Sequence, residues 1–257
     1  AGLSTSVVNP LSIKRFGQMH LRRTKTDKSD AALIAAYGQD QKPEPDKPKT
    51  SVQQQLKQIA SVMGQLTKQR TALKNLQHAA RLMPSGSAAC AEVLQEQLEQ
   101  LERALEELQR EQERLVKSGF ASANKLARSV KGVGPKTAST LIACAGDLSS
   151  FDNYRQLIAF IGLDPKTQQS GTSLNVVKHI SKQGHARLRT LFYMGAHSAR
   201  KHNRACRELY ERLIAKGKKK KVALIAVANK LVKQVFAVVK SGVAFDNNYN
   251  AKTVTAA

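Results

Sequence analysis

Three stretches of the chain carry residues whose types and spacing could do chemistry. In RRTKTDKSDA, residues 22–31, Asp27 and Asp30 stand three apart amid Arg and Lys. On a helix, positions i and i+3 share a face. Two carboxylates there can hold a hard cation such as Mg2+, which activates a phosphodiester. The same acids in a first helical turn would be stabilising without any metal, and a lone DxxD does not choose between the two. In GLDPKTQQSGTS, residues 162–173, Ser170 precedes a glycine in a polar, turn-rich run. A serine becomes a nucleophile only when a base, a metal or cations support it. Lys166, Lys178 and Lys182 are the nearby cations in sequence; a plain turn is the competing reading. In SVKGVGPKTASTLIA, residues 129–143, Gly132 and Gly134 allow a sharp turn and a close backbone approach to a ligand. Pro135 then opens a helix whose N–H groups and dipole suit a phosphate, and Lys131 and Lys136 flank the turn.

This last arrangement resembles the helix-hairpin-helix motif, which grips the DNA backbone without reading sequence; a simple glycine turn between helices is the alternative. Composition favours the first. The chain has 257 residues and a formal charge of +23, with a pI near 10.2. Such an excess repels itself unless a polyanion neutralises it, so DNA or RNA is the default partner and an anionic membrane surface the competitor. From Ser181 to Lys221 there are thirteen Lys or Arg and two Glu. A merely solvated face is usually mixed in sign, so phosphate contact is expected here. Within that stretch Lys182 is followed by Arg187 and Arg189 on an expected helix, and KGKKKK (216–221) reads as a flexible cationic loop. No run of about 18 apolar residues is evident, so no membrane-spanning helix is expected. Nor does the N-terminus have the layout of a signal peptide. Cys90, Cys144 and Cys206 are widely spaced, and read as reduced structural thiols of a cytoplasmic protein.

The elements that must position these residues are mostly helical. Ser6, Val7 and Val8 look like a strand end entering a loop at Asn9-Pro10. A helix is expected over 27–37, capped by Thr26 or Asp27. KPEPDKPKT, 42–50, is a proline-rich linker. Val52, Leu56, Ile59, Met63, Leu66 and Leu73 then follow a heptad spacing interrupted by Arg70. After the breaker MPSGS it resumes with Leu94, Leu98, Leu101, Leu105, Leu108 and Leu115, interrupted by Gln112. Two narrow apolar stripes joined by a turn predict an antiparallel helical hairpin or coiled coil, paired within the chain or contributing to a dimer. Eight Glu against three Arg between Glu92 and Arg114 argue against a DNA-facing role for the second helix. From Phe120 onward short amphipathic helices alternate with glycine turns, 222–239 is a good helix, and the last dozen residues look frayed.

Taken together and in this order, VVNP, RRTKTDKSDA, the coiled-coil insert, KGVGPKTA, FIGLDPKTQQSG and HISKQGHARLRTLFYMGA resemble the DEDD transposases of bacterial insertion sequences. These are relatives of the Piv-type DNA invertases, and some of them are guided by a bridge RNA. The resemblance covers nearly the whole chain and is most diagnostic over 130–196. It implies a mainly α fold with four parts. Residues 1–41 would be the C-terminal remnant of a RuvC-like α/β catalytic domain, and 42–50 a linker. Residues 51–119 would form the coiled-coil hairpin. Residues 120–257 would form a mostly helical transposase domain with a helix-hairpin-helix and a basic DNA-binding surface. It implies that Asp27 and Asp30 are the last two of four acids that bind Mg2+, and that Ser170 is the nucleophile, Ser173 being the less favoured register. It implies DNA-binding roles for Lys131, Gly132, Gly134, Lys136, Lys182, Arg187 and Arg189. The partners implied are DNA, a structured guide RNA in the guided members, and further copies of the chain as dimer or tetramer, with no membrane. The family's first Asp and its Glu lie N-terminal to the VVNP segment. The expectation is therefore that these 257 residues alone bind nucleic acid and oligomerise without recombining DNA. Two other readings compete: a non-catalytic helix-hairpin-helix DNA-binding protein, and a RuvC-type metal-dependent nuclease in which Ser170 is only a turn.

Overall fold

The computed structural model describes residues 5–21, 26–45, 50–83, 87–170 and 174–249, with the backbone alone described for 167–170 and 174–178. The chain divides into two compact units, 1–50 and 51–257. Among the described residues it is mainly α, with ten α-helices, one short 3-10 turn and two strands.

In the first unit, helix α1 (Pro10–Met19) starts where Pro supplies a helical φ and the Asn9 side chain accepts from the Leu11 N–H at 2.9 Å. Helix α2 (Asp27–Gln41) starts at Thr26, the expected cap. The Thr26 hydroxyl accepts from the Ser29 N–H at 3.2 Å, and Ser29 Oγ accepts from the Thr26 N–H at 2.9 Å. The two helices meet where Gly17 lets Leu33 approach, and Phe16 stacks edge-on to Tyr37 at 5.3 Å. The expected strand at Ser6 to Val8 is not formed. Residues 5–9 carry no ladder, and a strand requires a neighbour to bond. Instead the Ser6 hydroxyl donates to the Pro43 carbonyl at 3.0 Å.

In the second unit, helices α3 (Ser51–Arg81) and α4 (Ala88–Gly119) pair antiparallel, as the heptads predict. Lys74 meets Glu102 at 2.8 Å and Gln77 meets Gln95 at 3.0 Å; at the other end Val52 packs on Gly119. Of the expected stripe, Leu56, Met63, Leu98 and Leu115 are buried and the rest half-buried. Gln112, which breaks the stripe, is fully buried with neither side-chain polar atom bonded. The breaker turn at 84–86 lies outside the described residues. Leu56, Leu115 and Val116 join Ile142 and Ala143, which fixes the base of the helical hairpin to the helices beyond Phe120.

The main core comprises α5 (Ala121–Ser129), α6 (Pro135–Ala145), α7 (Tyr154–Ile161), α8 (Ala186–His202), α9 (Arg204–Ala215) and α10 (Lys220–Ser241). Helix α10 is its axis. Leu224, Val227, Leu231, Val232, Val235 and Val238 are all buried, each contributing roughly 1.5–3 kcal/mol. By length and composition α10 could cross a membrane, a possibility that counting uninterrupted apolar runs misses. Here its apolar residues lie against α5, α7, α8 and α9. Strands β1 (Pro165–Ser170) and β2 (Leu174–Ile180) form an antiparallel hairpin between α7 and α8. The sequence reads β1 as turn; Leu174 to Ile180, rich in β-branched residues, supplies the ladder that draws it into a strand.

Candidate nucleic-acid interface and reaction site

The α5–α6 turn is built from the inside out. Val130 and Val133 are buried, and the Val133 N–H bonds the Val130 carbonyl at 2.9 Å, so the apolar anchors fix the bend. The two glycines divide the work. Gly132, at φ +107°, lies against α8: a Cβ there would sit 2.7 Å from Ala199 Cβ and 3.1 Å from the Gly195 carbonyl oxygen. Its close approach serves the fold. Gly134 caps α6 and has no atom within 4 Å of where a Cβ would stand, so its surface is open to a ligand. No side chain caps the first turn of α6. Lys131 and Lys136 are exposed on either side of it.

One residue that sequence reasoning missed ties this turn to the core. Asn203 is fully buried. Its Nδ2 donates to the Lys131 carbonyl at 3.2 Å and to Gln234 Oε1 at 2.9 Å, while Oδ1 accepts from the Cys206 N–H at 3.2 Å as the cap of α9. The cap is readable from Asn before a helical run, but its two distant partners are not.

Ser170 ends β1, paired with Leu174 across the tip of the hairpin. Ser173, the alternative register, lies outside the described residues. The base of the hairpin is pinned tightly. Gly162, at φ +78°, ends α7, and Gly184, at φ +149°, packs against the Phe160 carbonyl. The Ser181 N–H donates to the Asp164 carbonyl at 2.8 Å, and the Ser181 hydroxyl bonds the Asp164 carboxylate. Asn229 Nδ2 reaches the Leu163 carbonyl at 3.4 Å. Lys182 is exposed at the exit, with its N–H on the Gly162 carbonyl at 3.3 Å.

Arg187 and Arg189 are half-buried rather than displayed. Arg189 Nη1 donates to the Ile161 carbonyl at 3.1 Å, holding the end of α7. Arg187 Nη2 lies 3.5 Å from Gln109 Oε1 on α4, its Nη1 is buried without a partner, and burial pulls its pKa below the ordinary value. The display of positive charge falls to other residues. Lys216, Gly217, Lys218 and Lys219 form the expected cationic loop, but Lys220 and Lys221 already belong to α10. Cations at a helix N-terminus oppose its dipole, an arrangement that a bound anion would relieve. All three cysteines are free thiols, with Cys90 exposed. Burial pushes Cys144 up to about 11 and Cys206 up to about 12.

Asp27 and Asp30 occupy the first turn of α2 in the other unit, Asp27 exposed and Asp30 half-buried. No third His, Cys, Asp or Glu joins them in a metal-binding group among the described residues. Two hard oxygen donors one turn apart nonetheless suit Mg2+, which keeps several waters and takes one or two carboxylates together with substrate phosphates.

Comparison with known proteins matches two stretches of the chain, the first of which runs past the boundary at residue 50 into α3. A profile described as transposase, of the IS110 DEDD type, matches residues 1–82, and one described as transposase IS116/IS110/IS902 family matches 124–211. The first contains Asp27 and Asp30; the second spans the α5–α6 turn, the β-hairpin and α8. The chain is similar to the pilin gene-inverting protein of Moraxella bovis, 30% identical over 250 residues, covering 94% of this chain and 74% of the relative. It is also similar to the transposase for insertion sequence element IS1111A of Coxiella burnetii, 30% identical over 229 residues, covering 78% of this chain and 61% of the relative. An uncharacterized protein of insertion element IS110 from Streptomyces coelicolor is 31% identical over 129 residues, half of this chain and 32% of the relative. The chain therefore belongs to the IS110/IS116 family of insertion-sequence transposases.

Proposed function

We propose that the protein is a DNA transposase and site-specific recombinase that uses Ser170 as nucleophile and Mg2+ held by Asp27 and Asp30. The observation that carries the reading is the placement of the two candidate groups. The acids fall within the matched stretch 1–82 and the serine within the matched stretch 124–211, at the end of a pinned hairpin in a basic helical unit. The Ser170 hydroxyl attacks a DNA phosphorus and gives up its proton. The bond from that phosphorus to a deoxyribose oxygen breaks, and the oxygen leaves as a hydroxyl with a proton. A hydroxyl of the second strand then attacks the phosphoserine and returns Ser170 to its free form, so no phosphodiester energy is lost. When bound, Mg2+ supplies Lewis-acid stabilisation of the phosphate charge. The α5–α6 turn acts as a helix-hairpin-helix that holds the backbone through Lys131, Gly134 and Lys136, with Gly132 setting its shape. Lys182, at the base of the hairpin, meets the strand's backbone away from Ser170, which sits at the tip. Arg187 and Arg189 act from behind, positioning α7 and the helical hairpin.

The domain assignment belongs to the same reading: 1–41 from a RuvC-like domain, 42–50 a linker, 51–119 a coiled coil that brings copies together into a dimer or tetramer, and 120–257 the DNA-holding domain. Composite sites between copies, a structured guide RNA as second polyanion and a cytoplasmic site of action are parts of it as well.

The test is adduct trapping. The protein, joined to the family's N-terminal segment that carries the first Asp and the Glu, is incubated with its element's DNA and Mg2+, with and without the element's transcript, and resolved on denaturing gels beside Ser170→Ala and Asp27→Ala. A covalent protein–DNA band lost in Ser170→Ala is the expected result. Cleavage without a band, unaffected by Ser170→Ala and abolished by Asp27→Ala, would replace the reading with a RuvC-type nuclease. Mg2+-independent binding with no strand cleavage would replace it with a non-catalytic DNA-binding protein.

A further inference from the structure

We propose that the pocket where α4 passes into α5 is a second phosphate-binding station, taking a backbone phosphate of a nucleic-acid strand. It is lined by Lys117, Ala121, Asn124, Lys125, Arg128 and Ser129. The site is distinct from the Gly132–Gly134 turn, from Lys182 and from Ser170, and it needs neither the serine chemistry nor Mg2+.

The placement comes from helical periodicity. Ala121, Asn124, Lys125 and Arg128 recur at spacings of three and four, so they share one face of α5. The last turn of α4 brings Lys117 to the same opening. Three cations thus converge, and all three are exposed enough to meet a passing strand. None forms an ion pair among the described residues. Six of the eight Glu of α4 have partners elsewhere, Glu96 among them through Gln100 Nε2 at 3.2 Å. Glu99, Glu106 and Glu111 pair with Arg103, Arg110 and Arg114 on their own helix, Glu102 pairs with Lys74, and Glu113 accepts from Gln109 Nε2 at 3.0 Å. Like charges gathered at one opening repel each other, and an anion relieves this.

A second observation separates the pocket from an ordinary basic surface. Asn124 is only 7% exposed, and its Oδ1 is buried without a hydrogen-bond partner. An amide in that position is a costly choice where an apolar residue would pack freely. It can donate through Nδ2 to a phosphate oxygen. The wall beside it is fixed. Ser129 Oγ donates to the Leu126 carbonyl at 2.7 Å and accepts from the Phe245 N–H at 2.9 Å, which ties the segment after α10 to this end of α5.

The decisive experiment compares two charge-matched variants of the full chain in EDTA. Lys125→Ala with Arg128→Ala removes the station; Lys57→Ala with Lys68→Ala removes the same charge from exposed positions of α3. Binding to labelled single strands of DNA and of RNA, identical in sequence, is followed by fluorescence anisotropy across a salt series. One lost phosphate contact makes the slope of log K against log salt shallower by about 0.7 on a single strand. That change is expected for the first pair and not for the second, with unaltered melting curves. Loss on both polymers identifies the common backbone; loss on one identifies which strand the station serves. Equal slopes for the two pairs would overturn the proposal, since the cations would then act through net charge alone. If inorganic phosphate shields Lys125 from acylation while neither slope changes, the site holds a free anion and the strand assignment fails. Should the double variant melt early, Lys117→Ala, at the opposite lip, decides by the same slope.

Discussion

The approach of the α5–α6 turn to α8 is backbone against backbone, which makes a single methyl group a sensitive probe. Gly195 lies inside α8, and a Cβ there would stand 2.5 Å from the Gly132 carbonyl oxygen and 3.6 Å from Leu231 Cδ1. Replacing glycine by alanine in a helix interior ordinarily stabilises by about 1 kcal/mol. Here the obstructing atom belongs to a backbone that is itself held by Ala199 and by Asn203, so it has no rotamer to move into. Overpacking of this kind costs roughly 1–3 kcal/mol. The upper end applies where the neighbour is rigid, and the net effect is a loss of about 2 kcal/mol. Gly64, in α3, offers the control, because nothing lies within 4 Å of its Cβ position. Gly64→Ala should gain about 0.5–1 kcal/mol. For a unit spanning 51–257, each kcal/mol moves Tm by roughly 2–4 °C. Gly195→Ala should therefore melt about 4–8 °C lower than the parent chain and Gly64→Ala about 1–4 °C higher. Thermal and urea unfolding followed by circular dichroism measure both. A Gly195→Ala protein that melts as high as Gly64→Ala would refute the close approach of turn and helix, and with it the account of Gly132.

Two further expectations come from the buried polar groups. Asn203→Ala removes the α9 cap and leaves the Lys131 carbonyl and Gln234 without their donor. It should cost about 2–4 kcal/mol and weaken DNA binding through the displaced turn; urea unfolding that shifts by less than 1 kcal/mol would show that the network is dispensable. In a thiol titration at pH 8, Cys90 should react at once. Cys144 and Cys206, pushed up to about 11 and about 12 by burial, should wait for denaturant. The thiolate is the reacting form, and at pH 8 it makes up only about one part in a thousand or less of such groups. Two fast thiols in the native protein would contradict the burial of Cys144.

Periodic features of the sequence translated directly into structure. The heptad positions Leu56, Met63, Leu98 and Leu115 became the buried seam of α3 and α4, and Thr26 became a cap because its geometry is local. Readings that depended on distant partners fared differently. Nothing near GLDPKTQQSG announces a strand, because the ladder comes from Leu174 to Ile180. Ser6 to Val8 have strand-forming residues but no ladder among the described residues. Arg187 and Arg189 look like surface cations in a basic run, yet helical phase turns one toward Gln109 and the other onto the Ile161 carbonyl. Of the candidate reaction site, the residue types and their order were legible. The support beneath them was not: Asn203, Asp164 with Ser181, and Asn229 reach partners 17 to 72 residues away.

The glycine-pinched base of the β-hairpin, where Gly162 and Gly184 bring entry and exit together, makes the reach of Ser170 an adjustable length. The ladder past Asp164 and Ser181 starts from this fixed footing, so its strands can be extended or shortened without disturbing the buried Leu163 or the Asn229 contact beneath it. Adding two residues to each strand would carry the tip outward by about 6.6–6.8 Å and keep the alternation of faces, whereas adding one would turn every side chain over. Hairpin length thus works as a ruler with steps of one residue pair.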